Sequence, residues 1–234
     1  MFNIRKNSQT KYTDFKKYDN YEKKLYRKYG DADSIDFNIE LLTIADTHNT
    51  IKDISPLKNI KYDICVLLGD ISKQDIQEIL KFVDISKIIG ILGNHDEKDN
   101  LLKYNICNVN DTIFQFNDIK FAGIEGCIKY KENQPGYSLA KSFKISNELE
   151  KADILLTHTI PYQFMGTLNE FHIGNPAITN YLYKNKCPLN LCGHNHNEKL
   201  GTLKNGTNVI ETYMINLISV SPKNIKIQKI ETSS

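Results

Sequence analysis

The sequence predicts an α/β (α+β) fold: a two-sheet β-sandwich flanked by helices, preceded by an N-terminal helical extension. Three observations predict it. Short β-branched apolar runs alternate with amphipathic stretches from Phe37 onward, the pattern of βαβ units. Later runs come in pairs joined at Asn117-Asp118 and Asn205-Gly206, dipeptides suited to tight hairpins. Parallel units followed by hairpins give a mixed two-sheet core with helices outside. The 234 residues suffice for one medium-sized domain with an appendage. There is no internal repeat.

Residues 1–37 read as a basic, tyrosine-rich helical extension and linker, and 38–234 as the main domain. From Asp14 to Tyr29 the residues Phe15, Tyr18, Tyr21, Leu25, Tyr26 and Tyr29 recur at three- and four-residue steps. Thr13 or Asp14 suits an N-cap and Gly30 a stop. The lysine-rich back of this helix suits nucleic acid or a membrane surface, and its tyrosine stripe a second copy. The simpler alternative is a helix docked on its own domain with lysines in water.

Strands are expected near 38–45, 63–68 and 88–92, separated by helices near 50–60 and 73–84 and followed by a short helix near 97–104. A hairpin follows, with strands near 112–116 and 119–124. Residues 126–143 read as a long loop, 145–151 as a helix, 153–157 as a strand and 159–174 as a second long loop. The segment 175–186 suits a helix, with Asn175 as N-cap and Pro176 at its first position. Strands near 188–192, 199–204, 207–211, 213–220 and 224–231 complete the chain.

Composition narrows the function. The longest apolar runs stop at about five or six residues, against the ~20 of a membrane span. The N-terminus lacks the apolar stretch of a signal peptide. Five cysteines without CxxC spacing, two of them (Cys65 and Cys192) inside expected core strands, suit reduced thiols and a cytoplasmic protein. Residues 1–30 hold nine Lys/Arg against three Asp/Glu, and the remainder 21 against 25. The body is therefore net acidic, opposite to the footprint of a nucleic-acid binder.

Five strand ends deliver polar residues: Asp46-Thr47-His48, Gly69-Asp70, Gly93-Asn94-His95-Asp96, His158 and Gly193-His194-Asn195-His196. Residues two apart on extended chain share a side, so Asp46 with His48, and His194 with His196, can grip one ion together. Asp70, Asn94 and His158 add further ligands. Seven N/O ligands without cysteine exceed the four of an ordinary zinc site and suit two adjacent ions sharing a carboxylate. Imidazole with carboxylate favours Mn, Fe, Zn or Co over Ca or Mg, with Mn the first choice in vitro. Five of the six histidines sit on these motifs; the sixth, His172, lies in the loop after His158.

The ordered set D-x-H, GD, GNHD, H, GHxH resembles the calcineurin-like metallophosphoesterase superfamily over about residues 39–220. The resemblance implies a double-layered β-sandwich flanked by helices. It implies that Asp46, His48, Asp70 and His196 hold one metal, and that Asp70, as bridge, Asn94, His158 and His194 hold the other. His95 is then the non-ligand catalytic histidine, acting on the substrate's charge or its leaving oxygen, and a metal-bridging hydroxide is the nucleophile. Asp96 either tunes His95 or caps the helix at 97–104. The protein phosphatases of the superfamily extend the second motif with an arginine, whereas here Ile71-Ser72-Lys73-Gln74 follows Asp70 and no arginine occurs after Arg27. Leu155-Leu156-Thr157-His158-Thr159-Ile160-Pro161 and Phe171-His172-Ile173-Gly174 are similar to the small phosphodiesterase-type members.

The expected function is hydrolysis of a phosphodiester in a small phosphorylated, nucleotide-like substrate by a dinuclear metal centre. The alternatives are a phosphomonoesterase or a nuclease on short oligonucleotides and, behind these, a non-catalytic metal-binding scaffold. Substrate selection falls to the long loops, where His172, Lys129, Tyr130 and Tyr137 are the candidate contacts.

Overall fold

The computed structural model describes residue 18 and residues 20–129, 133–164 and 173–231. Its helices are α1 (Tyr21–Tyr29), α2 (Lys73–Ile79), α3 (Asn100–Lys103), α4 (Leu139–Glu148) and α5 (Pro176–Lys184). Its strands begin with β1 (Ile39–Ala45), β2 (Ile64–Leu67), β3 (Ile88–Gly90), β4 (Cys107–Asn108), β5 (Ile113–Phe116), β6 (Ile119–Ile124) and β7 (Cys127–Ile128). There follow β8 (Gly136–Tyr137), β9 (Ile154–Thr157), β10 (Leu189–Cys192), β11 (Lys199–Thr202), β12 (Asn208–Glu211), β13 (Met214–Ser221) and β14 (Asn224–Lys229).

Two six-stranded sheets form the core, ordered β14-β13-β1-β2-β3-β4 and β11-β12-β10-β9-β6-β5. In the first, β1, β2 and β3 run parallel. In the second, β6, β9, β10 and β12 do. Side-chain alternation builds the layers. Along β1, Leu41 and Ala45 join a core drawn from both sheets, which also holds Val66, Phe121, Leu156 and Leu191. Leu42 and Ile44 face the opposite way, onto Ile76 and Ile79 of α2. Leu155 and Val209 of the second sheet meet Ile178 and Leu182 of α5. Both sheets are thus covered by helices on their outer faces, as the sequence predicts.

Leu25 of α1 is buried in that last layer, and Glu22 accepts the Tyr183 hydroxyl at 2.7 Å and the Lys204 N–H at 2.8 Å. Lys23, Lys24, Arg27 and Lys28 are exposed. Of the arrangements open for this helix, the structure has the docked one. Gly30, at φ 73°, ends it. The expected start near Asp14 lies outside the described residues.

Several elements differ from expectation. The helix near 50–60 is a 3-10 turn, Ser55–Asn59, because residues 46–51 are held in the loop described below. The helix near 145–151 is α4, which begins at Leu139 because the Ser138 hydroxyl accepts the Lys141 N–H at 3.3 Å. The long loop 126–143 contains the small β7–β8 ladder, in which Cys127 pairs with Gly136. The helices near 73–84 and 97–104 shorten to α2 and α3. β4, a two-residue edge strand, has no sequence signal. No helix among the described residues is long and apolar enough to cross a membrane.

Phe121 is fully buried between the sheets. Phe121→Ala should destabilise the fold by about 3–5 kcal/mol, read as a lowered urea midpoint with the slope unchanged.

Candidate metal centre

The parallel strands of both sheets deliver their C-terminal ends to one place. Asp46 follows β1, Gly69-Asp70 follows β2, Gly93 to Asp96 follow β3, His158 follows β9 and Gly193-His194 follow β10. Backbone bonds knit these ends: the Asp46 N–H donates to Gly69 C=O at 3.0 Å, and the Gly193 N–H to His158 C=O at 2.9 Å. Asp46, His48, Asp70, His194 and His196 all have positive φ, between 46° and 77°. Left-handed backbone costs an ordinary residue about 1–2 kcal/mol and clusters at functional sites. Here it turns five candidate ligands out of their strands.

Glycines make the close approach feasible. A Cβ on Gly93 would fall on the Asp70 carboxylate and backbone nitrogen, and one on Gly193 would lie 2.6 Å from Asp46 Oδ2. Gly69, at φ 92°, has Gly93 backbone in the space a Cβ would need.

Two groups of ligand atoms converge, Asp46 with His48 and His196, and Asp46 with Asp70 and His158. The residue common to both is Asp46, whereas the resemblance made Asp70 the bridge. Asp70 nevertheless reaches both groups, with Oδ2 3.9 Å from His48 Nε2 and 3.4 Å from His158 Nε2. Asn94 Oδ1 lies 3.0 Å from His158 Nε2. The His194 ring centroid is 5.0 Å from that of His158, and the His194 backbone N–H donates to Asp46 Oδ2 at 2.8 Å. All seven sequence-predicted ligands therefore stand in one cluster.

The chemistry of the donor set fits cations. Asp46 Oδ1 is buried without a hydrogen-bond partner, an arrangement that leaves a lone pair and charge unsatisfied. His48 and His196 approach Nε2 to Nε2 at 3.2 Å, so one ring nitrogen must present a lone pair. His158 donates Nδ1–H to the Leu68 carbonyl at 2.8 Å, which leaves Nε2 as its ligand atom.

Electrostatics points the same way. Burial would depress the His158 pKa, but Asp70 and Asp46 outweigh it and push it up to about 9. Burial would raise Asp70, but His158 and the His95 N–H hold it well below the usual carboxylate range. Burial, with Asp70 adding, raises Asp46.

His95 is exposed, with its N–H on Asp70 Oδ1 at 2.7 Å and its ring centroid 5.7 Å from that of His48. It lines a mouth of about 380 Å³ together with His48, Asp70, Lys73 and Glu97. Asp96 does not cap the following helix, which starts at Asn100 behind Asp99. Its carboxylate accepts backbone N–H groups of Gly93 at 2.7 Å and of Asp70 and Ile71 at 2.9 Å, tying the second motif to the third. Burial and Asp70 push its pKa up to about 7.

Sequence reasoning missed two supports. Asp75 is buried and accepts the Thr47 hydroxyl at 2.6 Å and the Asn49 N–H at 2.7 Å, fixing the turn that carries His48. Its signal was the Ser72-x-x-Asp75 spacing of a helix start, although the carboxylate serves the neighbouring loop. Tyr213 stacks on His196, with centroids 5.1 Å apart and planes at 21°. Lys129 and Tyr137 line a separate cavity. Tyr130 and His172 lie outside the described residues.

The sequence pattern of the calcineurin-like phosphoesterases matches residues 39–198. The chain belongs to that family. Membership implies a phosphoric ester hydrolase, and the cluster is its candidate two-metal site. No curated protein matches the chain in sequence. Solved structures share the fold at low identity. The protein TT1561 of Thermus thermophilus has a TM-score of 0.56 at 15% identity, covering 82% of this chain and 99% of that one. The 5'-nucleotidase of Candida albicans gives 0.54 at 12%, over 84% of this chain and 52% of that one. The phosphopantetheinyl hydrolase of Mycobacterium tuberculosis gives 0.50 at 10%, over 76% and 90%.

Two outcomes follow for this phosphoesterase. A metal bound through His158 Nε2 would displace the proton that Asp70 and Asp46 hold there up to about pH 9. Apparent metal affinity should therefore fall about tenfold per pH unit below that value from this group alone, measured by calorimetry at several pH values. Gly93→Ala should abolish stoichiometric metal binding by displacing Asp70, as read by elemental analysis of the purified variant.

Proposed function

We propose that this phosphoesterase hydrolyses phosphodiester bonds in a small, nucleotide-like substrate at a centre of two divalent transition-metal ions. Asp46, His48 and His196 would hold one ion; His158, Asn94 and His194 would hold the other, with Asp70 between them. The observation that carries this reading is the buried Asp46 carboxylate, whose Oδ1 has no hydrogen-bond partner among the described residues, set among histidines and beside Asp70. Bound ions supply charge neutralisation at phosphorus and an activated water.

The protein's own residues do the rest. Asp70 fixes the backbone of His95, so the imidazole stands at the mouth where a leaving oxygen would emerge. A protonated His95 gives that oxygen its proton as general acid. Asp96 and Asp75 keep the second, third and first loops in register.

The preference for a diester rests on charge. The mouth's one lysine, Lys73, is held by Glu97 at 2.5 Å. A phosphomonoester dianion carries one more negative charge than a diester, and no arginine of the body is available to meet it. Manganese is the first metal to test. The five cysteines are all free, which suits a reducing, cytoplasmic setting.

The test is hydrolysis of bis(p-nitrophenyl) phosphate and p-nitrophenyl phosphate by manganese-loaded protein. Diester cleavage should exceed monoester cleavage. His95→Ala should lower kcat by about a hundredfold or more at normal metal content, whereas Asp70→Ala should lose metal as well. Full activity in His95→Ala would remove its role. No turnover of either ester by two-metal protein would favour a scaffold.

A further inference from the structure

A second cavity, of about 550 Å³, is lined by Leu92 and Lys98. These residues flank the 93–97 segment, whose His95, Asp96 and Glu97 line the mouth of the metal centre. One loop is thus a wall common to both spaces. The volume is that of a small-molecule site, roughly 300–1,000 Å³.

The two spaces differ in charge. Lys98, Lys129 and Lys141 line the second cavity, all exposed, and none forms an ion pair among the described residues. Lys141 Nζ sits 4.4 Å from the Tyr137 ring centroid. Among the described residues of the lining the one carboxyl, Glu125, is half-buried and accepts the Tyr137 hydroxyl at 3.4 Å. Tyr137 is fixed in turn by Asn110, whose side-chain N–H donates to its oxygen at 2.5 Å. Among the described residues, three lysines therefore line the cavity against one occupied carboxyl. At the mouth the balance is reversed, with Asp70, Asp96 and Glu97 against Lys73. Of these two spaces, and among the described residues, the second is the one in which lysines outnumber carboxyls.

We propose that this cavity is an anion subsite for a second phosphate of the substrate, whose scissile phosphate lies at the metal centre. This assignment to the substrate rests on the phosphoesterase reading above. Lysine ammonium groups are compact point charges and suit a phosphate that needs no bidentate clamp.

The experiment uses inorganic pyrophosphate, titrated by calorimetry into the full, metal-stripped protein at low salt. Pyrophosphate should bind, and Lys98→Ala with Lys141→Ala should weaken it about tenfold. Both lysines are exposed, and an unchanged melting temperature checks the fold of the variant. His95→Ala, altered at the mouth, should bind as the parent does. Absence of binding, or binding indifferent to the two lysines, overturns the subsite. In metal-loaded protein, kcat/KM for a diester bearing a second phosphate, divided by that for bis(p-nitrophenyl) phosphate, should fall about tenfold in the lysine variant. An unchanged ratio overturns the assignment to the substrate. Lysine-dependent pyrophosphate binding without any ester turnover would instead support the anion site and sink the phosphoesterase reading, so the two failures are distinguishable.

Discussion

Asp46 and Asp70 are both buried, and each has its carboxylate within reach of the same histidines. Two like charges in a protein interior repel each other and lose their hydration, a cost of several kcal/mol per ion without compensation. The protein offsets part of this. His158 supplies positive charge, while the N–H groups of His194 and His95 each donate to one carboxylate. Asp46 Oδ1 remains unsatisfied. The remaining deficit is what a pair of cations would supply, so metal affinity and folding stability draw on the same electrostatic imbalance.

That constraint explains the surrounding loops. A carboxylate can stand this close to a neighbouring loop only if the neighbour has no side chain, hence Gly93 beside Asp70 and Gly193 beside Asp46. Two further carboxylates act on backbone rather than on ions. Asp96 gathers three N–H groups from the second and third motifs, and Asp75 gathers the turn after Asp46. One residue type thus fills two roles, decided by what each side chain meets: backbone N–H and hydroxyl donors for Asp75 and Asp96, and imidazoles besides one backbone N–H each for Asp46 and Asp70.

The layers and the clustering of the candidate ligands were legible in the sequence because both follow from strand periodicity. Leu41 and Leu42 alternate into different cores, and the polar residues fall where apolar runs stop. The Asn205-Gly206 turn followed its dipeptide, with Gly206 at φ 92°. What was not legible depends on contacts between distant segments. The 50–60 helix yielded because Asp75, from another element, captures the Asn49 and Ile51 N–H groups. Ser138, the cap that starts α4, was hidden in a stretch whose Pro135 and Gly136 read as loop. Tyr213 has no motif and acquires a place only when β13 sets it beside His196.

Charge placement completes the argument. With no arginine in the body, lysines are the permanently cationic side chains left to meet a phosphate away from the candidate metal centre, and their positions rather than a bidentate geometry would carry selectivity. Lys73 stands at the mouth but is neutralised by Glu97, and Glu97 is also shared with Lys103 at 3.4 Å. Lys98, Lys129 and Lys141, without an ion pair among the described residues, line the cavity on the far side of the His95 loop. A single phosphate would leave that second cluster unused. A molecule with two separated anionic groups, one at the candidate metal centre and one at the lysines, would use both.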